Sequence, residues 1–156
     1  MKNVLIISDT HGRLKKEVWE AIKSSDVVIH AGDLDNNDIE MKLRLSGAEV
    51  HIVKGNNDNY WGNTLPKTLT FKVEGVTFFL VHNKRDVPPN LKEVDVIVYG
   101  HSHRYDNKMI NGVTWLNPGS CSVMRFSREL TMCRMKVNGA SYSIEKVVLK
   151  DEIPEY

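Results

Sequence analysis

Val4-Leu5-Ile6-Ile7-Ser8-Asp9-Thr10-His11-Gly12 passes from four apolar residues straight into a carboxylate and an imidazole two positions apart. A continuous apolar run, rather than an alternating one, reads as a strand buried on both faces. The next segment, Arg13 to Ser25, spaces Leu14, Val18, Ala21 and Ile22 as one face of an amphipathic helix. Val27-Val28-Ile29 repeats the buried-strand signature and ends at Ala31-Gly32-Asp33. The stretch from Ile39 to Leu45 carries two signals. Ile39, Met41, Leu43 and Leu45 alternate as in a strand, yet Asn37 or Asp38 suits a helix start and Gly47 a helix end. A helix is expected, because it completes a second crossover to a third strand at Val50, Ile52 and Val53. A β-α-β-α-β start predicts a parallel sheet, and sites in open α/β sheets gather at the carboxyl ends of the strands. Asp9, Asp33 and Asn56 all fall at such ends.

After Pro66 the texture becomes strand-rich. Thr68 to Val73 and Val76 to Val81 flank Glu74-Gly75, and Val94 to Tyr99 is another buried run ending at Gly100. Asn111-Gly112 and Asn138-Gly139-Ala140 sit between further apolar pairs of segments, as hairpin turns do. Asp86-Val87-Pro88-Pro89-Asn90 is expected to form a mobile lip.

At 156 residues, with no repeat or linker, the chain is expected to form one domain over 1–156. The formal charge is +1, from 21 basic and 20 acidic residues, with no basic tail, so extended nucleic acid is not an expected partner. The charge leaves room for a small nucleotide or a local phosphate pocket. Cys121 and Cys133 make no CxxC pair and read as two reduced thiols. No signal-peptide pattern opens the chain and no apolar stretch is long enough for a membrane span, so the cytoplasm is the expected compartment.

Seven metal-capable side chains recur at the ends of these runs: Asp9, His11, Asp33, Asn56, His82, His101 and His103. Each alone has a bland reading. Asp9 is a possible helix cap, Gly32-Asp33 and Gly55-Asn56-Asn57-Asp58 are good turns, and His82 is an ordinary core histidine. Together they suit a mixed oxygen and nitrogen site for transition metals. Asp9 and His11 would share one side of an extended strand end, as would His101 and His103 on an extended loop. Asp33 would bridge two cations, giving one oxygen to each. His30 and His51 read as structural or supporting residues, His30 as an orienter of Asp33. Two adjacent cations suggest hydrolysis of a phosphate ester.

The stretches Ser8-Asp9-Thr10-His11-Gly12, His30-Ala31-Gly32-Asp33, Gly55-Asn56-Asn57-Asp58, His82, Gly100-His101-Ser102-His103 and Asn117-Pro118-Gly119-Ser120 resemble, in combination, those of the calcineurin-like metallophosphoesterases. The likeness is to the small bacterial and archaeal phosphodiesterase branch and runs from Asp9 to about Arg125. It implies an α/β fold, a four-layer α-β-β-α sandwich with a dinuclear centre. One metal would be held by Asp9, His11, Asp33 and His103, the other by Asp33, Asn56, His82 and His101. Asp58 would stand as an acid behind the site. Manganese is the first expectation, with iron, zinc, nickel or cobalt also admitted. The implied activity is a phosphodiesterase in which a metal-bridging hydroxide attacks phosphorus. Members of the family are often homo-oligomers, dimers or tetramers.

Asn57 departs from the pattern of larger members, which carry a histidine there as proton donor. Asn83 and Lys84 follow His82 where the branch more often has glycine and histidine. Lys84, Arg85, Arg104 and Arg125 are candidates for phosphate contact, against a bland reading as solvated surface charges. Two alternatives remain: a phosphomonoesterase on the same site, and a non-catalytic protein-binding scaffold of the same fold, as in the retromer coat. Scaffolds of that kind lose metal-site histidines, and here all seven positions are filled.

Overall fold

The apolar runs of the first third form β1 (Lys2–Ile7), β2 (Val27–His30) and β3 (Glu49–Ile52), which pair in parallel. This arrangement is seen in a computed structural model that describes residues 1–61, 64–124 and 129–150. Two crossover helices join the strands. Helix α1 (Lys16–Lys23) buries Val18, Ala21 and Ile22, the face its spacing predicted. It begins at Lys16, so Asp9 does not cap it. Helix α2 (Asn37–Arg44) resolves the ambiguous stretch. Ile39 and Leu43, four residues apart, are buried, whereas Met41 and Leu45 are exposed. The alternation was incidental; burial follows the helical period. The cap is Asn36, one residue before the expected pair, its side-chain oxygen accepting from the Ile39 amide at 3.2 Å.

The strand-rich half supplies β4 (Thr68–Val73), β5 (Val76–Val81), β6 (Val96–Val98), β7 (Tyr105–Ile110), β8 (Val113–Pro118), β9 (Thr131–Asn138) and β10 (Ser141–Val148). The hairpins fall where the turn residues placed them. Asn111 and Gly112, at φ of 50° and 79°, give the left-handed pair a tight hairpin needs. Two mixed sheets result, in the orders β10-β9-β1-β2-β3 and β4-β5-β6-β8-β7. Ile6, Ile29, Phe78, Leu80, Val98 and Met135 lie in the apolar layer between them. On the far side of the first sheet, Leu5, Ile7 and Val28 pack against the two helices.

The fourth layer of the sandwich is thin. A single 3₁₀ turn (Lys84–Asp86) and the loop after it cover the outer face of the second sheet. Val87, Leu91 and Val94 lie on Phe79, Val81, Ile97 and Tyr99. Of the segment expected to form a lip, Val87 packs onto this cluster, while Pro88, Pro89 and Asn90 are exposed. Trp115 packs there too, Phe78 fills the central layer and Trp61 leans on the helical side. None of the described helices is long and apolar enough to cross a membrane.

Candidate metal centre

Both sheets aim the same ends of their parallel strands at one spot. Asp9 and His11 follow β1, Asp33 follows β2 and Asn56 follows β3. From the second sheet, His82 follows β5, and His101 and His103 follow β6. All seven candidate ligands meet there. The route differs from the extended ends expected. Asp9, His11, Asp33, His101 and His103 adopt φ of 56°, 48°, 65°, 75° and 63°, the left-handed region that side chains other than glycine avoid. Each strand end curls back on itself, which is how adjacent positions reach one point. The H-x-H pair splits as a result: His103 Nε2 faces His11 Nε2 at 3.3 Å, and His101 Nδ1 faces His82 Nε2 at 3.3 Å and Asn56 Oδ1 at 3.2 Å.

The hydrogen bonds behind these rings fix which nitrogen carries a proton. His82 Nδ1 donates to the Ala31 carbonyl at 2.7 Å and His103 Nδ1 to the Val123 carbonyl at 3.3 Å. His11 Nδ1 lies 3.0 Å from Asp35 Oδ2. In their neutral forms all three rings turn an unshared pair at Nε2 toward the centre. Those pairs face one another and two carboxylates. His82 Nε2 is 3.3 Å from Asp33 Oδ2, and His103 Nε2 is 3.4 Å from Asp9 Oδ1. Asp9 Oδ1 is buried and has no hydrogen-bond partner among the described residues. Acceptors that converge without donors need a cation among them, so the donor set fits bound metal. Two groups share the centre: Asp9, His11 and His103, and Asp9, Asp33 and His82.

In the metal-free chain, protons answer part of this demand. Burial lowers the His82 ring, but Asp33 and Asp9 outweigh it and hold the ring above its ordinary value. Burial raises the Asp9 carboxyl, yet the His103 ring 3.4 Å away and the His82 charge bring it below the usual range. Asp33 follows the same balance, with His82 as the main opponent of burial.

Asp33 differs from the expected bridge in two respects: the carboxylate common to both groups at the centre is Asp9, and a single oxygen of Asp33 is turned to the centre. Its Oδ1 accepts from the Asn57 amide at 2.8 Å, leaving Oδ2 as the atom that faces both sets of imidazoles. Gly55 allows this approach, since a Cβ there would run into Asp33 Oδ1 and its amide nitrogen. Asn57 is half-buried at the rim, where its side-chain oxygen accepts from Asn56 Nδ2 at 3.3 Å. Asp58 is buried behind the centre and accepts from four backbone amides.

Sequence reasoning missed Asp35, the acid that orients His11. A turn-like Asp two residues past a ligand gave no signal until its oxygen was seen behind the imidazole. It also gave no role to Ser120, whose hydroxyl donates to the Asp9 carbonyl at 2.8 Å, or to Asn117, which holds the Gly100 carbonyl at 3.1 Å. His51 stacks on Phe71 at 3.7 Å, away from the centre. Arg125 lies outside the described residues.

His30 is buried, accepts from the Gly32 amide at Nδ1 and faces Thr10 Oγ1 with Nε2, both at 3.0 Å. Burial pushes it down from 6.5 to about 4. Between those values the unfolded chain binds a proton that the folded chain refuses, so this residue's stabilisation falls as pH drops from 6.5 toward 4. The loss reaches about 3 kcal/mol. Denaturation of metal-free wild type and His30→Gln across that window should show the wild-type advantage shrinking as acid is added; a constant gap would contradict it.

The profile of the calcineurin-like phosphoesterase superfamily domain matches residues 1–140. The chain belongs to that superfamily. A probable metallophosphoesterase of Mycoplasma genitalium is 33% identical, covering 99% of this chain and 93% of its own. A phosphodiesterase of Methanocaldococcus jannaschii is 26% identical over 74% of this chain and 82% of its own. Among solved structures, the zinc complex of Vps29 from Entamoeba histolytica superposes with a TM-score of 0.72 at 23% identity, covering 94% and 98% of the two chains. That last likeness shows the fold alone. For a calcineurin-like phosphoesterase, curled strand ends that gather carboxylates and imidazoles make a metal-binding hydrolase centre.

Proposed function

We propose that the chain is a single-domain, dinuclear-metal-dependent phosphodiesterase. The observation that carries this reading is the convergence of the His11, His82 and His103 Nε2 atoms on Asp9 Oδ1 and Asp33 Oδ2, with Asp9 Oδ1 buried and unpartnered among the described residues. Asp9, His11, Asp33 and His103 would hold one ion, and Asp33, Asn56, His82 and His101 the other. When bound, such a pair makes water acidic enough to supply hydroxide near neutral pH and offsets charge on the phosphoryl oxygens. Manganese is the first choice on the family resemblance alone; the mixed oxygen and nitrogen set equally admits iron, zinc, nickel or cobalt.

The chain's own residues set the rest. Two carboxylates are too few to neutralise two divalent ions, so the loaded centre keeps positive charge for an anionic ester. Asn56 adds a ligand oxygen without adding negative charge. The Asp9 group is buried, whereas Asn56 and His101 are exposed, so substrate enters from their side. The relative named a phosphodiesterase supports diester over monoester.

Stripped protein, reloaded with each metal and offered aryl diesters and monoesters, tests the reading. Metal-dependent diester hydrolysis is expected; preference for the monoester would move the assignment to a phosphomonoesterase, and metal uptake without turnover to a scaffold. Asn57→His supplies a proton donor where the amide has none, and should speed esters of poor leaving groups by up to about a hundredfold. A leaving-group series in which rates stay level or fall would remove this role from position 57.

A further inference from the structure

Two of the loops that end in candidate ligands run on to build a second feature. After His82 the chain forms the 3₁₀ turn bearing Lys84 and Arg85, fixed by Asn83 Oδ1 accepting from the Arg85 amide at 3.0 Å. After His103 it continues through Arg104 into β7, which carries Lys108. Between these walls, and sharing Gly100 and His101 with the metal centre, lies a cavity of about 530 Å³. That volume suits a ligand the size of a nucleotide.

The lining is strongly one-signed. Lys84, Arg85, Arg104 and Lys108 face a single carboxylate, Asp106. Asp106 is already engaged: the Tyr99 hydroxyl donates to it at 3.0 Å, and Lys108 Nζ stands 3.6 Å away. Lys84 Nζ lies 5.9 Å from the centre of the Tyr99 ring. A concave site with this surplus of cations concentrates anions. It opens on the exposed, His101 side of the metal centre, the side from which an ester reaches the ions. The scissile phosphate would belong to the metals, so Lys84 and Arg85 have a different anion to meet.

We infer that this pocket binds a second phosphate of the substrate, and that the enzyme's preferred substrates are small phosphodiesters carrying a further phosphomonoester. The inference rests on the phosphodiesterase reading for its substrate class, but the anion site itself stands on the pocket's lining.

Two p-nitrophenyl esters of thymidine 5′-phosphate test it, one with a free 3′-hydroxyl and one with a 3′-phosphate. The scissile bond and leaving group are the same in both. The manganese-loaded wild type should show a KM about tenfold lower for the 3′-phosphorylated ester, the combined effect of a few partly exposed ion pairs. The Lys84→Ala/Arg85→Ala double variant should bring the two KM values together. Asp106→Asn should widen the gap, a change in the opposite direction that misfolding cannot imitate. Equal KM values in the wild type, or a preference that survives the double substitution, overturns the inference. Calorimetric titration of the metal-free chain with thymidine 3′,5′-bisphosphate gives a readout without turnover. Binding should weaken about tenfold in the double variant, and unchanged affinity overturns the site. If neither ester is hydrolysed, the phosphodiesterase reading fails, while the titration still decides the pocket.

Discussion

Asp33→Ala is expected to lower kcat/KM on a generic aryl phosphodiester by at least about a thousandfold, the scale of removing several kcal/mol of charge stabilisation from the transition state. Asp33 Oδ2 lies within 3.9 Å of both His11 and His82, as Asp9 Oδ1 also does, so its loss affects both halves of the centre. Alanine also leaves His82 Nε2 without the acid that now sits at 3.3 Å. Metal content after reloading should fall with activity. The backbone around position 33 is held by Asp58 through the Asp33 amide at 2.8 Å, which alanine retains, so circular dichroism should stay close to wild type. Activity within tenfold of wild type at full metal content would remove Asp33 from the centre of the mechanism.

Asp58→Ala should act through stability instead. One carboxylate gathers the amides of Asp33, Leu34, Asp35 and Gly55 at 2.8–3.3 Å and the Trp61 indole at 3.0 Å. Removing it orphans five donors in a buried place. Water entry can satisfy some of them. An unsatisfied buried donor costs about 1–3 kcal/mol, so a total of about 4 kcal/mol is expected, equal to a fall in Tm of roughly 10 °C for a chain of this length. Thermal unfolding of the metal-free variant measures it. A fall of only a degree or two would mean that the loops after β2 and β3 hold their shape without Asp58.

Much of this was legible in the sequence because its strongest signals are local. Val4–Ile7 and Val27–Ile29 carry the continuous apolar run expected of buried strands, and Asn111-Gly112 is a strong signal for a tight turn. The Ile39–Leu45 stretch shows the limit of local pattern: its period of two was an accident that only burial could expose. The pairing of β9 with β1, and of β6 with both β5 and β8, depends on contacts between residues far apart in the chain, for which periodicity carries no information. The seven candidate ligands were found by residue type at strand ends. Their left-handed backbone was not, since nothing in Asp or His announces it. Asp35 was invisible for a related reason: its value lies in a 3.0 Å contact with an imidazole 24 positions earlier.

The candidate ligands are drawn from both layers: four from the strand ends of one sheet and three from the other. Anything that fills the centre would therefore rivet the two slabs together at one rim, where apolar packing gives way to polar loops. Loading the chain with metal should raise its unfolding temperature, by mass action on the folded state. An enzyme built this way is sturdiest when it is ready to work, and a cell short of metal would hold a looser, more easily degraded chain.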